Sequence, residues 1–276
     1  MYPNYVNYVH PKSETRLGTF TFLGTGTSQG VPVIGCHCEV CLSGDTRDHR
    51  LRTSGLVSIG GKNIVIDAGP DFRQQLLRAK VDDVECILLT HEHNDHVIGL
   101  DDVRPFNFNG GKGIRRMPLY ATQRVQEEVR SRFSYAFARN PYPGAPQFDL
   151  RTIEKSTGFE VGGMEIIPIE VMHGDMPVLG FRFGDFTYIT DCKTIADTEL
   201  AKARGTKTLV INALHHREHH SHLNLRQALA LIAEVKPEHA YIIHVSHSMG
   251  LYTEVSKTLP NGVSLGCDGG KVDINA

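Results

Sequence analysis

The sequence lacks any apolar run long enough to cross a bilayer, so composition offers no helical membrane span. It also lacks an excess of either charge. Lys and Arg number 29 against 31 Asp and Glu, a net charge of −2, so no global field draws the chain to nucleic acid or anionic membrane. The opening Met1-Tyr2-Pro3-Asn4-Tyr5 has no basic-then-apolar order, and without a secretory signature the expected compartment is the reducing cytoplasm. There the six cysteines are expected as thiols or metal ligands rather than disulfides. No repeat, low-complexity tract or linker composition divides the 276 residues. One domain is therefore expected over 19–276, behind an aperiodic, Tyr-bearing N-terminal extension at 1–18.

A dinucleotide fingerprint is missing as well. The alternating strand Thr19–Leu23 runs into Gly24-Thr25-Gly26-Thr27-Ser28-Gln29-Gly30, but the spacing is not GxGxxG, and Val31-Pro32-Val33 follows where a helix should begin. A tight turn that brings backbone close to a site is the better reading.

What the chain has in quantity is histidine, 15 residues. Three fall in Thr90-His91-Glu92-His93-Asn94-Asp95-His96, directly after the apolar run Cys86–Leu89. That run reads as a buried strand, and the C-terminal ends of such strands are where α/β sheets collect ligands. His91 and His93, two apart in an extended segment, leave the same side, while Asp95 and His96 face a second point as the chain turns. Imidazoles with a carboxylate suit zinc, manganese or iron, and two adjacent sets suggest two ions.

The second strong signal is Cys36-His37-Cys38-Glu39-Val40-Cys41. Three thiols at this spacing can converge on one tetrahedral ion and leave a place for a distant fourth ligand, a closed structural site. A redox dithiol is the rival reading, but such motifs usually open a helix with CxxC alone.

The strand-then-ligand pattern repeats downstream. Met164–Val171 precedes His173, Phe186–Thr190 precedes Asp191, and Ala240–Ile243 precedes His244-Val245-Ser246-His247. Thr208–Leu214 leads into a loop with His215, His216, His219, His220 and His222, of which most are expected to face solvent. Helices are expected over Asp71–Leu77, Gln123–Phe133, Leu225–Val235 and Leu251–Leu259, and a short one from Val97 stopped by Pro105. Asn140–Pro146 reads as a proline-rich surface loop.

With these residues collected, the chain resembles the metallo-β-lactamase superfamily. The carriers are His91-x-His93-x-Asp95-His96 with His173, Asp191 and His244 in order. Within it the chain is similar to the cyclic-phosphate phosphodiesterases of the bacterial phosphonate-utilisation pathway, through Gly24-Thr25-Gly26, Gln29-Gly30-Val31-Pro32, the three cysteines, His244-x-Ser246-His247 and Asp268-Gly269. The resemblance implies an α/β fold, the four-layer αββα sandwich. It implies that His91, His93 and His173 hold one zinc or manganese ion, that Asp95, His96 and His244 hold the other, and that Asp191 bridges them. It implies a structural zinc on Cys36, Cys38, Cys41 and His247. The activity implied is hydrolysis of small cyclic nucleotide or ribose phosphates by a hydroxide shared between the two ions. His220, aligned through Leu223-Asn224, would be the proton donor, and Asp95 would help to orient or protonate. A small phosphodiester is the expected partner; membrane is not expected, nucleic acid is disfavoured, and a homodimer is left open. The alternatives are a tRNA 3′-processing endonuclease, disfavoured by the near-neutral charge and the lack of a basic arm, a thioester or lactam hydrolase, and a non-catalytic nucleic-acid-binding protein on this scaffold.

Overall fold

The computed structural model describes residues 17–108 and 113–275. The extension expected at 1–18 lies outside the described residues except for Leu17 and Gly18, which already belong to the first strand. The chain forms β1 (Leu17–Gly24), β2 (Ser54–Ile59), β3 (Lys62–Ile66), β4 (Cys86–Leu88), β5 (Met117–Ala121) and β6 (Phe148–Thr152). It continues through β7 (Phe159–Val161), β8 (Met164–His173), β9 (Met176–Phe183), β10 (Phe186–Tyr188) and β11 (Thr194–Ile195). The last strands are β12 (Thr208–Asn212), β13 (His239–Ile243), β14 (Val263–Leu265) and β15 (Lys271–Asn275). The α-helices are α1 (Phe72–Ala79), α2 (Asn94–Val97), α3 (Arg104–Asn107), α4 (Gln123–Arg132), α5 (Asp197–Leu200), α6 (Leu225–Val235) and α7 (Tyr252–Ser256).

Two sheets result, in the orders β15-β1-β2-β3-β4-β5-β6 and β11-β8-β9-β10-β12-β13-β14, with β7 beside β8. Each is half antiparallel and half parallel; β3 to β6 run parallel in one, and β10, β12, β13 and β14 in the other. Parallel neighbours need crossovers, and these supply the outer helices. Their apolar faces bury against the sheets, Phe72 and Leu76 of α1 with Val125 and Val129 of α4 on the first, Ala228 and Ile232 of α6 on the second. Each sheet also has an inner apolar face, so the layers stack α, β, β, α, as expected. Among the described residues, no helix is long and apolar enough to cross a membrane.

The inner layer is aromatic. Phe20 is fully buried, its ring centroid 4.9 Å from Phe22, 4.6 Å from Phe186 and 5.7 Å from Tyr188. Gly55 makes room for it, since a Cβ there would lie 2.5 Å from the Phe20 ring. This slab fixes the two sheets so that the C-terminal ends of β4, β10, β12 and β13 meet along one edge.

Three elements differ from the sequence reading. Pro105 does not stop a helix; it opens the helical turn α3, where its missing N–H costs nothing. Phe148–Thr152, directly after the proline-rich loop, is an edge strand. The polar C-terminal tail is β15, made a strand by pairing with β1 from Leu17↔Asn275 to Thr21↔Lys271.

Truncation of Phe20 to Ala is expected to cost about 3–5 kcal/mol, because the cavity opens where both sheets meet. Urea unfolding would show it as a lowered midpoint at unchanged slope; a shift equivalent to under about 1 kcal/mol would mean that the slab does not hold the sheets together.

Candidate metal centre

The site is built at strand tips whose backbones turn sharply. Five non-glycine residues among those described have positive φ. Lys80 and Lys236 cap helices, whereas Asp67, Asp191 and His244, at φ 64°, 52° and 55°, follow β3, β10 and β13. A left-handed residue costs on the order of 1 kcal/mol and persists where its surroundings over-determine it. Here the reversal turns three polar side chains into the gap between the sheets.

The loop after β4 is held from below by the segment after β3. Ala68 N–H donates to His96 O at 2.7 Å, and Gly99 N–H to Ala68 O at 2.9 Å. The approach leaves no room for side chains; a Cβ on Gly69 would sit 2.0 Å from Asp95 O, and one on Gly99 1.9 Å from Gly69 O. Asp67, wholly buried, accepts from Thr90 N–H and Oγ1–H, both at 2.9 Å, and from His96 Nδ1–H at 2.7 Å.

His96 therefore presents Nε2 to the centre, 3.3 Å from Asp95 Oδ2 and 3.3 Å from Asp191 Oδ2. His244 Nδ1 lies 3.3 Å from the same Asp191 oxygen, and His222 Nδ1 3.8 Å from the other. His91, His96 and Asp191 bring their ligand atoms together, as do Asp95, His96 and His244, and His173, Asp191 and His222. His93 stands at the exposed side, its ring centroid 4.7 Å from His91 and 5.2 Å from His173.

The electrostatics suit ligation. Burial would raise Asp191, but His244, His96, His91 and His222 around it hold its carboxyl well below the usual range. Burial also works against Asp95, and His96 and His244 still keep it ionised. Desolvation pushes His91, His93 and His244 below the ordinary histidine value and His222 down to about 2, so these rings are neutral. A neutral imidazole beside an ionised carboxylate is the form a metal needs. Four buried ring nitrogens, His91 Nε2, His96 Nε2, His222 Nδ1 and His244 Nδ1, have no hydrogen-bond partner among the described residues. Neutral rings with orphaned nitrogens, and a His96 ring whose proton a cation would replace, gathered around a buried carboxylate, fit divalent cations.

A second cluster lies nearby. His247 Nδ1 is 3.2, 3.3 and 3.5 Å from the sulfurs of Cys36, Cys38 and Cys41. Those are close to the edge lengths of a tetrahedron around zinc, about 3.5 Å for usual Zn–S and Zn–N bonds. Cys41 N–H lowers the Cys38 thiol to about 6, whereas burial lifts Cys41 to about 11. His244 and His247 share one strand end, which Val245 N–H ties to Thr25 O at 3.0 Å.

His220 and His222 occupy different environments. His220 is exposed on the rim of a cleft of about 630 Å³, beside His93 and His173. His222 is buried, its ring centroid 4.4 Å from His173 and 4.9 Å from His244. The cause is Leu223, whose N–H donates to Cys192 O at 2.8 Å and whose carbonyl accepts from Leu214 N–H at 3.0 Å. That anchors the chain beside Asp191 and brings the preceding residue in. The resemblance, aligned through Leu223-Asn224, gives the proton donor as His220; the buried His222 stands two residues before Asn224, the N-cap of α6 in a capping box with Gln227. Asp101, by contrast, pairs with Arg104 and Tyr135 at the surface.

Two sheets enclosing a histidine–aspartate centre at their strand tips define a metallohydrolase fold. A family model described as a β-lactamase superfamily domain matches residues 62–245, and the chain belongs to the metallo-β-lactamase superfamily. A solved diphosphatase of the PhnP family is 37% identical, with a TM-score of 0.89 over 95% of this chain and 99% of that one. Zinc-bound PqqB of Methylobacterium extorquens is 20% identical, with a TM-score of 0.76 over 93% and 100% of the two chains, a likeness of fold alone. An octanoyltransferase of Porphyromonas gingivalis is 42% identical over 249 residues, which cover 90% of this chain and 50% of that protein. The chain thus spans about half the length of that curated relative.

Two substitutions probe the centre without touching its inner donors. Gly69→Ala is expected to push Asp95 outward and to lower bound divalent metal, read by elemental analysis of purified protein. Cys38→Ser should lose the ion of the cysteine cluster and, through the shared strand end, weaken retention at His244. Full metal content in Cys38→Ser would show the two clusters to be independent.

Proposed function

We propose that this chain is a metal-dependent hydrolase, a phosphodiesterase acting on small phosphate esters. The observation that carries it is the ring of buried imidazole nitrogens, unpartnered among the described residues, around the ionised Asp191 carboxylate. The similarity to a PhnP-family diphosphatase supports a phosphorus centre as the point of attack. In this reading His91, His93 and His173 hold one ion, Asp95, His96 and His244 hold the other, and Asp191 lies between them. Zinc and manganese both suit these nitrogen and oxygen donors, and zinc suits the cluster of Cys36, Cys38, Cys41 and His247. When bound, the paired cations supply Lewis acidity and a water acidic enough to attack at neutral pH.

The chain's own groups then do the rest. The exposed edge bearing His93 and His173 opens to the cleft, so a phosphate ester reaches the centre from that side. Asp95 stays ionised and accepts a hydrogen bond from the attacking water. His222, buried against Asp191 and His173, is a neutral ring that can offer a nitrogen to an ion or one N–H to oxygen charge at the centre, whereas the resemblance gives the proton-donor role to His220. His220, on the rim, meets the outer part of the substrate. The walls of Leu223, Cys192 and Thr190 exclude bulk water from behind the centre.

Bis-p-nitrophenyl phosphate with added manganese or zinc tests this. Turnover is expected that chelator removes and that His93→Ala lowers by at least about a hundredfold, while His222→Ala costs about 10²–10⁴-fold. His220→Ala is expected to cost less than about tenfold. No turnover, or turnover untouched by His93→Ala, would sink the reading; a larger loss in His220→Ala than in His222→Ala would place proton donation on the rim.

A further inference from the structure

Three stretches of backbone meet beside the two clusters. On one side Gly26 N–H donates to Leu51 O at 2.8 Å, and Thr53 N–H to Gly26 O at 3.0 Å. On the other, Val245 N–H donates to Thr25 O at 3.0 Å, and Thr27 N–H to Val245 O at 3.2 Å. The approach is close, since a Cβ on Gly26 would lie 2.9 Å from Arg50 O. Val245 stands between His244 of the histidine–aspartate centre and His247, two residues on, of the cysteine cluster. The turn at Thr25–Thr27 thus holds both histidines through the segment that joins them.

Asp268, between β14 and β15, binds this junction from behind. Its side chain is 6% exposed, and it belongs to neither cluster. Oδ1 accepts from Thr25 Oγ1–H at 2.7 Å, and Oδ2 from Leu51 N–H at 2.8 Å and from Arg78 Nη1–H at 3.3 Å. Thr25 is wholly buried, and its Oγ1 accepts in turn from Arg50 Nη1–H at 2.8 Å. Arg50 is buried too, and the same Nη1 reaches Gly266 O at 2.6 Å. One carboxylate so gathers the loop after β1, the segment before β2 and the end of α1.

A carboxylate offers acceptors only, and here each of its oxygens faces a donor. Asn would fill the same space but turn one oxygen into an N–H donor. Placed at Oδ2, that donor meets Leu51 N–H; placed at Oδ1, it meets a hydroxyl that already receives Arg50. Either way a donor loses its acceptor, and the turn at Thr25 loses its hold. His244 depends on that hold most, because its left-handed backbone, at φ 55°, persists where its neighbours fix it. We infer that Asp268 is a positioning residue, which acts through Thr25 and Val245 to seat His244 and His247 together. It reaches both clusters at once and contributes a donor to neither. The inference rests on the metal sites of the reading above and not on its reaction, so the test needs no turnover.

The full chain, stripped of metal and titrated with cobalt, carries the test. Cobalt on the cysteine cluster gives a thiolate-to-metal charge-transfer band, and cobalt on the histidines and aspartates gives weaker visible bands. Asp268→Asn is expected to weaken cobalt binding about tenfold in both sets of bands, the worth of one charge-assisted hydrogen bond. Thr25→Val, of the same shape without the hydroxyl, should do likewise, and Thr25→Ser, which keeps the hydroxyl, should bind as wild type does. Ile232→Ala, in the last turn of α6, lowers stability without touching the junction and should also bind as wild type does. Unchanged binding in Asp268→Asn would overturn the inference, as would a loss that Ile232→Ala or Thr25→Ser shares. A loss confined to one set of bands would overturn it too, since the two histidines would then be seated separately. Should Asp268→Asn fail to fold, the Thr25 pair decides: loss in Val without loss in Ser upholds the inference, and any other result ends it. A wild-type chain without the thiolate band would overturn the metal reading of the cysteine cluster, and the inference with it.

Discussion

One hydrogen bond orders the centre, the 2.7 Å contact from His96 Nδ1 to Asp67 Oδ2, with both side chains fully buried. Burial alone would push His96 down, but Asp95, Asp191 and Asp67 together hold it well above the ordinary histidine value. Burial pushes Asp67 up, and its bonds from His96 and Thr90 are what allow a carboxylate to remain in so dry a place. Asp67 contributes no donor to the cluster itself. It fixes the His96 ring so that Nε2 faces both Asp95 and Asp191, and it ties that ring to Thr90 at the start of the histidine loop. Remove it, and His96 could rotate, the loop would lose its floor, and neighbouring carboxylates would repel each other without a mediator.

The same logic explains the backbone. Asp67, Asp191 and His244 all adopt left-handed conformations just beyond parallel strands. A strand that simply continued would carry its side chain out into solvent. Reversing the chain at the tip keeps the sheet regular to its last residue and still delivers a polar group inward. At Asp67 and His244 the strand and the reversal meet at one peptide, while two residues separate Asp191 from β10, and the strain is offset by the ladders and the aromatic slab behind.

Much of this was legible in the sequence, for a physical reason. Buried parallel strands read as short apolar runs, so polar residues following them stand out, and His91 to His96, His173, Asp191 and His244 were found that way. The three thiols stood out by spacing. What escaped depends on partners distant in the chain. β15 has the polar composition Lys-Val-Asp-Ile-Asn and is a strand because β1 lies beside it. β6 hides behind a proline-rich loop. Nothing local to Asp67 says that His96, 29 residues on, will lean on it. His220 and His222 are alike in sequence, and only the pairing of Leu223 with Cys192 and Leu214 separates them. Arg124 and Glu92 pair from 32 residues apart, and nothing local in the sequence joins them.

The cysteine cluster has a bearing on how the chain reaches its final form. Its three thiols lie within six residues of one another, so they could gather an ion while the rest of the polypeptide is still unfolded. The fourth arm, His247, stands 206 residues beyond Cys41 and arrives only when β13 has joined its sheet. Closing so long a loop costs only slightly more than closing a short one, because the penalty grows with the logarithm of length. The cluster would then act as a clasp, which opens early at one end of the chain and snaps shut when the other end is in place. An ion released from it would unfasten the loop that follows β1 from the residues that follow β13.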